Sequence, residues 1–258
     1  MESKINRYSK QLILINSFFI LAWLIISVFP FIWTFWGSFK VKADFFSRAD
    51  WMFAVTGVNT LIETGDTSTV KAYVESWTEG EFWKATMNTV IITVSVVTIS
   101  LFLGTLGAYA LSRSTYKYTF WILIAALIFR AMPHITLVSG YLFPFFQLNV
   151  WGILPTTIIV LVAINQPFTL WLLYSFFKTV PKELDESALI DGCSYFQAFR
   201  FVIMPVMWPG VVTAGLFSMM LAYNDFTVTS LLLNQQNYTM VPKINAYLGT
   251  IEHSGNYM

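Results

Sequence analysis

The sequence predicts an all-α protein, a polytopic helical bundle embedded in a membrane, and two observations lead to this fold class. Of the 258 residues, 56% are hydrophobic and 11% are charged, whereas roughly a quarter of the residues in an ordinary soluble domain are charged. The hydrophobic residues are also gathered in runs longer than a helix in a soluble core requires. The lipid bilayer is therefore the expected solvent for most of the chain.

Five hydrophobic runs are long enough to cross about 30 Å of hydrocarbon as helices that rise roughly 1.5 Å per residue. We predict spans at residues 12–36, 86–111, 120–146, 153–177 and 211–233. The first run is longer than a signal-peptide core and no small-residue cleavage site follows it, so we expect it to be a retained span. A polar insert, residues 40–84, follows the first span, and a charged stretch, residues 178–205, separates the last two. Residues 1–258 are predicted to form a single transmembrane domain that carries these two segments.

Basic residues predict the orientation of this bundle, because short segments rich in Lys and Arg remain in the cytoplasm. If the spans alternate in direction, three groups of basic residues fall on the same side: Lys4, Arg7 and Lys10; Arg113 and Lys117; and Lys178, Lys182 and Arg200. The N-terminus and the charged stretch are therefore predicted to be cytoplasmic. The insert and the tail, residues 234–258, are predicted to lie outside.

Small residues predict which faces of the spans contact protein. They recur at every fourth position in the second and fifth spans, as Ser100, Gly104, Ala108 and Ser112 and as Gly210, Ala214, Ser218 and Ala222. Such stripes let helix backbones approach closely where lipid provides no hydrophobic driving force, so both are expected to face other helices. In the third span, Pro133 and Pro144 are expected to kink or end the helix, because proline has no N–H to donate.

Composition also excludes several function classes. A net charge of +1 leaves no concentrated basic face for nucleic acid. With Cys193 as the single cysteine and only two histidines, we expect no intrachain disulfide and no metal site. Converging acids, or a nucleophile with its base, are not visible, so we predict no catalytic residue and do not expect an enzyme. The sequence has no Gly-x-x-x-x-Gly-Lys-Ser/Thr loop, so we expect no cofactor in this chain.

The stretch formed by residues 181–210 is predicted to contain two short helices joined by a turn. Pro181 suits the first position of a helix, and acidic residues follow where the positive end of the helix dipole stabilises them. These acids are Glu183, Asp185 and Glu186. Leu184, Ala188 and Leu189 give the helix a modest apolar face, and its acids are expected to point elsewhere. The helix is therefore expected to lie at the cytoplasmic surface.

A turn and a second helix complete this predicted elbow. Gly192 is able to adopt the left-handed conformation that commonly ends a helix. Ser194, with Gln197 three residues later, forms a capping box for the next helix. Pro205 and Pro209 are expected to end that helix before the fifth span. Without further information, such an elbow between two spans is more often an interfacial helix than a docking element.

The spacing of residues in the elbow distinguishes a docking element from an interfacial helix. Glu186-Ser187-Ala188, then Gly192 and then Pro205 follow the pattern of the EAA loop, in which Glu-Ala-Ala precedes a glycine and an Ile-x-Leu-Pro sequence. The chain thus resembles the membrane-spanning subunits of ATP-binding-cassette importers that depend on a solute-binding protein. Further similarities point to the maltose-type second permease of the carbohydrate branch: Asn88-Thr89, residues 107–113, Phe176-Phe177, residues 190–192 and residues 223–226.

This resemblance implies how the chain is coupled to ATP. The elbow would sit in a cleft on a cytoplasmic ATPase and transmit its closure to the spans. The implied ATPase-coupling residues are Glu186, Ser187, Ala188, Asp191, Gly192 and Pro205. We hypothesise that Glu186 makes a charged contact with the ATPase and that Gly192 sets the backbone shape. The implied partners at the bacterial inner membrane are a second homologous permease, two ATPase subunits that bind ATP and Mg²⁺, and an external solute-binding protein.

The resemblance also implies a solute, a sugar or related polyol, although Tyr223 stands where the carbohydrate branch usually has tryptophan. One alternative is a permease of the same superfamily for a non-carbohydrate solute. Another is an ion-driven secondary transporter, which would need carboxylates or histidines buried in several spans. Permeases of this branch usually have six spans, and no sixth apolar run follows residue 233. We therefore expect a sixth span to be missing at the C-terminus.

Polar residues within the predicted spans are candidates for the solute path. Arg130 lies deep in the third span, and Asn224 and Asp225 lie in the fifth. A polar group within the membrane marks either a pathway or a helix-pairing contact, and these three residues are compatible with both. His134 is interpreted as a polar contact at the kink beside Pro133.

Overall fold

The computed structural model describes residues 2–38 and 68–253. Within these ranges the backbone is almost entirely helical and contains no β-strand, which confirms the predicted all-α class. The helices in chain order are α1 Glu2–Gly37, α2 Ser68–Thr78, α3 Phe82–Arg113, α4 Thr119–Ala131, α5 His134–Gln147, α6 Leu154–Thr179, α7 Glu183–Ile190, α8 Tyr195–Tyr223, α9 Thr227–Leu232 and α10 Met240–His253. Residues 40–67 of the predicted insert and residues 254–258 at the end of the tail lie outside the described residues.

The chain divides into two compact units, residues 1–80 and residues 81–258. Helices α1 and α2 belong to the first unit. Along Leu12–Phe35 of α1 the apolar side chains are largely exposed, as expected for a helix that lipid surrounds. Helices α3 to α10 belong to the second unit, which contains the elbow.

Four helices of the described ranges are long and apolar enough to cross a membrane: Leu12–Phe35 within α1, α3, α6 and α8. They match the first, second, fourth and fifth predicted spans. The third predicted span consists of two helices, α4 and α5, bent by 86° at the break between them. The break lies at Met132 and Pro133, because a residue before proline disfavours helical backbone and proline lacks an N–H. Pro133 thus breaks the span as predicted, whereas Pro144 lies within α5, which continues to Gln147.

Helices α3, α6 and α8 build the interior of the second unit. All residues of the two predicted small-residue stripes are buried, which confirms that these faces contact protein. A Cβ atom added at Gly104 of α3 would lie 3.1 Å from side-chain atoms of Leu173 and Thr169 on α6. One added at Gly210 of α8 would lie 2.9 Å from Phe176 Cγ, also on α6. The small residues therefore let α6 pack closely against both neighbours.

The second elbow helix continues directly into the fifth span. The prediction that Pro205 and Pro209 end this helix is wrong. Ala198–Ile203 is π-helical, and Pro205 falls in the first turn of the α-helical segment that resumes at Met204. Proline is tolerated in the first turn of such a segment. The π-helical turn before it shifts the hydrogen bonds from an i→i+4 to an i→i+5 pattern. Pro209 lies inside the helix, where its carbonyl accepts a hydrogen bond from Thr213 Oγ1 at 2.8 Å.

The fifth span ends earlier than predicted. Helix α8 stops at Tyr223, and the short helix α9 follows a break at residues 224–226. The hydropathy of the run does not indicate this break, because Asn224 and Asp225 are its only strongly polar residues. Helix α10 lies in the predicted tail and has 14 residues, among them Lys243.

The second unit has two distinct ends. At one of them, the elbow end, Arg113 Nη1 at the end of α3 donates a hydrogen bond to Val180 O beyond α6 at 3.0 Å. Two of the three basic segments therefore lie at the same end of the second unit, as the alternation of the spans predicts. At the opposite end, hydrogen bonds join α9 and the residues after it to the starts of α3 and α6: Trp151 Nε1 to Leu231 O (3.0 Å), Gly152 N to Leu232 O (2.9 Å), Asn237 Nδ2 to Gly152 O (2.7 Å) and Asn88 Nδ2 to Asn237 O (3.0 Å).

Candidate functional site

The first elbow helix, α7, begins slightly later than the sequence predicts. The helix occupies Glu183–Ile190 and carries the three predicted acids in its first turn. Pro181 lies before the helix instead of at its first position, and its carbonyl accepts a hydrogen bond from Leu184 N at 3.4 Å. The acids still occupy the positive end of the helix dipole, as predicted.

Gly192 ends α7 in the predicted left-handed conformation, with a φ of +88°. Gly192 N donates to Leu189 O at 3.1 Å, and Cys193 N donates to Ala188 O at 3.0 Å. These two bonds form a Schellman motif, which satisfies carbonyl groups that the helix itself leaves unpaired. The chain therefore reverses direction at Gly192 while the end of α7 stays hydrogen-bonded.

The second elbow helix begins with the predicted capping box. Gln197 N donates to Ser194 Oγ at 3.3 Å, and Ser194 N donates to Gln197 Oε1 at 2.8 Å. Each side chain satisfies a backbone N–H that no helical carbonyl reaches. Local hydrogen bonds therefore fix both sides of the turn, and the elbow has one defined shape.

Most of the predicted coupling residues lie on the surface of the elbow. The exposed ones are Glu186, Ser187, Asp191, Gly192 and Pro205. Ala188 is buried, and Leu184 and Leu189 are half-buried, so the predicted apolar face of α7 packs inward. Ala188 therefore packs α7 against the bundle, whereas the other predicted coupling residues are exposed at the surface.

Asp185 differs from the other acids of α7. The sequence predicts that all three acids point away from the apolar face, and for Asp185 this is wrong. Its side chain points inward and forms an ion pair with Arg113 of α3, with 2.8 Å between Asp185 Oδ2 and Arg113 Nε. Helical periodicity did not indicate this orientation, because the partner that stabilises the carboxylate is distant in sequence.

Three exposed apolar side chains flank the turn of the elbow and were not predicted as site residues. This elbow apolar patch consists of Ile190, Tyr195 and Phe196, and Ile190 is 85% exposed. None of them belongs to the apolar face by which α7 packs inward. The sequence signal that could have identified them is the presence of large apolar residues on the outer side of a surface helix. Such residues mark a contact with protein or lipid.

The remaining predicted site residues lie at two breaks in the helices. Arg130 is in the last turn of α4, and its Nη1 contacts Nε2 of His134 at the start of α5. The structure thus places Arg130 against the imidazole ring of His134, beside the bend at Pro133.

Asn224 and Asp225 follow the fifth span instead of lying within it, which corrects the prediction. Asp225 Oδ1 accepts hydrogen bonds from Val228 N at 2.9 Å and from Thr229 N at 3.0 Å, both in the first turn of α9. Asn224 Nδ2 donates to Met220 O at 2.9 Å, in the last turn of α8. Both side chains therefore satisfy backbone groups that the ends of these helices leave open.

Replacing Asp225 by alanine is expected to destabilise the start of α9, because two backbone N–H groups lose their acceptor. Loss of a cap of this kind costs about 0.5–2 kcal/mol. Asp225→Asn keeps an acceptor oxygen and should unfold near the temperature of the unchanged protein. Thermal unfolding in detergent, followed by tryptophan fluorescence, measures the difference. Equal midpoints for Asp225→Ala and the unchanged protein would contradict the capping role.

The fold and the elbow together define a class of protein, a multi-pass membrane bundle with a capped helix-turn-helix elbow exposed at one end. Residues 100–253, which include the elbow, match the family described as "Binding-protein-dependent transport system inner membrane component". The chain belongs to this family and is an inner-membrane component of a transport system.

Individual proteins similar to this chain are also permeases of transport systems. The diacetylchitobiose uptake system permease protein NgcG of Streptomyces coelicolor is 28% identical over 250 residues, which cover 92% of this chain and 75% of the relative. The trehalose/maltose transport system permease protein MalG of Thermococcus litoralis is 31% identical over 236 residues, covering 90% and 79% of the two chains. A solved bacterial ABC transporter involved in the import of alginate has the same fold, with a TM-score of 0.67 at 19% identity over 95% of this chain and 81% of that one.

Proposed function

We propose that this chain is the membrane-spanning subunit of an ATP-driven importer and that it passes a sugar or related polyol delivered by an external solute-binding protein. The elbow is the observation that carries the coupling to ATP, because it presents the exposed Glu186 on a short helix that is capped on both sides of its turn. The relatives named for diacetylchitobiose uptake and for trehalose and maltose transport favour a carbohydrate solute.

In this proposal, α7 docks in a cleft on a cytoplasmic ATPase, whose closure displaces the elbow. A docked helix transmits motion only if it moves without melting, and the Schellman motif and the capping box support it on both sides of Gly192. The continuous helix α8 then carries the displacement into the fifth span. The ATPase binds ATP and Mg²⁺ and hydrolyses ATP, so this chain requires no catalytic residue, cofactor or metal ion of its own.

The complete assembly contains this chain, a second homologous permease, two ATPase subunits and the solute-binding protein. The elbow end and the N-terminus face the cytoplasm, because the basic residues are concentrated in those segments. The opposite end, with α9, faces the outside. Alternating access comes from movement of the two permeases relative to each other.

The elbow offers the ATPase two kinds of contact. Glu186 is exposed and provides a negative charge for a basic residue of the partner. The elbow apolar patch provides surface that docking removes from water, and exposed aromatic residues are typical of such contact surfaces. Asp191 and Pro205 extend the exposed surface on either side of the turn.

Replacing Ile190 by serine is expected to weaken ATPase docking about tenfold or more, because burial of an isoleucine side chain contributes roughly 1.5–3 kcal/mol. The measurement is the amount of ATPase that copurifies with the chain on increasing dilution in mild detergent. Leu148→Ser is the matched control, since Leu148 is 70% exposed and lies near Trp151 and Gly152 at the opposite end. Equal recovery of ATPase by both variants would exclude Ile190 from the docking surface.

Affinity purification of the unchanged chain tests the proposed function as a whole. We expect an ATPase and a second permease to copurify under gentle conditions, and labelled sugars or polyols to be taken up only with ATP. Reproducible absence of an ATPase would favour an ion-driven secondary transporter. Copurification without uptake of any sugar or polyol would identify a permease for a non-carbohydrate solute.

We propose that Arg130, Asn224 and Asp225 stabilise helix ends instead of lining the solute path. Their contacts with His134 and with the ends of α8 and α9 support this role. A structural role of this kind predicts that substitutions lower stability without changing the preference among solutes. A substitution that selectively abolishes uptake of one solute would assign that residue to the path.

A further inference from the structure

The ion pair between Arg113 and Asp185 joins three elements at the elbow end. Arg113 is the last residue of α3, and its Nε lies 2.8 Å from Asp185 Oδ2 on α7. Its Nη1 donates to Phe177 O at 3.3 Å and to Val180 O at 3.0 Å, at the C-terminal end of α6. One guanidinium group therefore connects α3, α6 and α7, and its charge suits the negative end of the α6 dipole.

The second oxygen of the Asp185 carboxylate also contacts α3. Tyr109 OH donates to Asp185 Oδ1 at 2.6 Å. Tyr109 lies one helical turn before Arg113, so both residues are on the same face of α3. Asp185 therefore contacts α3 through both oxygens, by a hydrogen bond at Oδ1 and by the ion pair at Oδ2.

Protein surrounds these three side chains. Those of Arg113 and Asp185 are 16% and 14% exposed. The Tyr109 ring packs against the rings of Phe177 and Phe199, with centroid separations of 5.7 and 4.8 Å. Loss of one charge would leave its partner desolvated and unpaired, which is far more costly than the loss of an ion pair at the surface.

The connections of α7 to the rest of the chain explain why such an attachment is needed. Before α7 the backbone is extended at Val180, and after it the chain turns at Gly192 with a φ of +88°. A push applied to α7 would bend the backbone at these two points if the chain alone carried it. Helix α3, in contrast, packs against α6 and α8 along its buried stripe. A push applied to α3 is therefore shared by the whole interior.

We propose that Tyr109, Arg113 and Asp185 form a strut that transmits the displacement of α7 directly to α3. The three residues are positioning residues, because they act through α7 and contact neither ATP nor solute. This inference rests on the proposed function, in which α7 docks on an ATPase. It adds a second route for the motion, parallel to the continuous helix α8.

The first test uses the assembled complex reconstituted in liposomes with its solute-binding protein. Arg113→Gln and Asp185→Asn should leave the amount of copurified ATPase unchanged and lower the solute transported per ATP hydrolysed roughly 2- to 30-fold. Tyr109→Phe keeps both charges and the ring, and should give an intermediate ratio. Lys117→Gln is the matched control, since Lys117 is an exposed basic residue in the segment that follows α3, and it should keep the normal ratio.

A second test replaces the ion pair by a covalent link. Arg113→Cys and Asp185→Cys are combined with Cys193→Ser, and a cleavable bifunctional thiol reagent joins the two introduced cysteines. The strut predicts a low ratio of solute to ATP before cross-linking, a higher ratio after it, and a low ratio again after cleavage. A mass shift of the chain reports how much of it is linked.

Three results would overturn the strut. One is a normal ratio of solute to ATP in Arg113→Gln, Asp185→Asn and Tyr109→Phe. Another is a fully linked cysteine pair that stays uncoupled, and the third is loss of ATPase copurification in these variants, which would assign the residues to docking. Failure of the proposed function has a different signature, because then the unchanged chain itself recovers no ATPase.

Discussion

Replacing Gly192 by valine is expected to reduce ATP-dependent uptake roughly 5- to 30-fold while the chain stays in the membrane. Gly192 has a φ of +88°, and a left-handed conformation costs an L-residue roughly 1–2 kcal/mol, with a larger cost for β-branched side chains. A Cβ atom at this position would have no heavy atom within 4 Å. The substitution therefore acts by backbone strain and not by a clash, and the elbow should relax to a shape that no longer couples to the ATPase.

Gly192→Asn is the matched control, because asparagine adopts the left-handed region more readily than other non-glycine residues. We expect this variant to keep most of the uptake. Uptake of labelled solute into proteoliposomes and the rate of ATP hydrolysis are measured together, so that uncoupling is distinguished from loss of assembly. Normal uptake in Gly192→Val would refute the hypothesis that this residue sets the shape of the elbow.

Replacing Gly210 by alanine is expected to destabilise the bundle by about 1–3 kcal/mol, the usual cost of overpacking a close contact. The added Cβ would lie 2.9 Å from Phe176 Cγ and 3.1 Å from Phe176 Cβ. Both atoms are near the backbone of α6, so the ring cannot turn away to make room. Helices α6 and α8 must separate instead, which lowers the midpoint of thermal unfolding in detergent.

Gly140→Ala is the control for this effect, because Gly140 lies within α5 and a Cβ atom there would meet nothing within 4 Å. Alanine favours helix over glycine by about 1 kcal/mol, so this variant should be neutral or slightly stabilised. Phe176→Ala removes the Cγ atom, so the double variant of Gly210→Ala and Phe176→Ala should be less destabilised than the sum of the two single variants. An unchanged midpoint in Gly210→Ala would contradict the close contact between α6 and α8.

Features with a local signal were predictable from the sequence. The turn at Gly192 and the capping box of Ser194 and Gln197 depend on residues within one helical turn of each other, and both are confirmed. The break at Pro133 follows from the chemistry of a single residue. The buried stripes follow from the period of one helix, although the period does not say which helix covers them.

Features that depend on residues distant in sequence were not predictable. Asp185 points inward because it forms an ion pair with Arg113 on another helix, and no pattern within α7 indicates this orientation. The π-helical segment Ala198–Ile203 lets the chain pass Pro205 and Pro209 without a break, so the rule that proline ends a helix failed there. In each case a tertiary contact or an irregular turn overrode a local preference.

Thr89 joins the beginning of α3 to the beginning of α10. Its Oγ1 donates to Ala85 O at 2.7 Å and accepts a hydrogen bond from Met240 N at 2.9 Å. The ribosome completes Thr89 long before Met240, so the acceptor for α10 is in place when that segment emerges. The order of synthesis thus matches the order of docking, and a defect at Thr89 is expected to appear late in biogenesis, as an unfinished bundle exposed to membrane quality control.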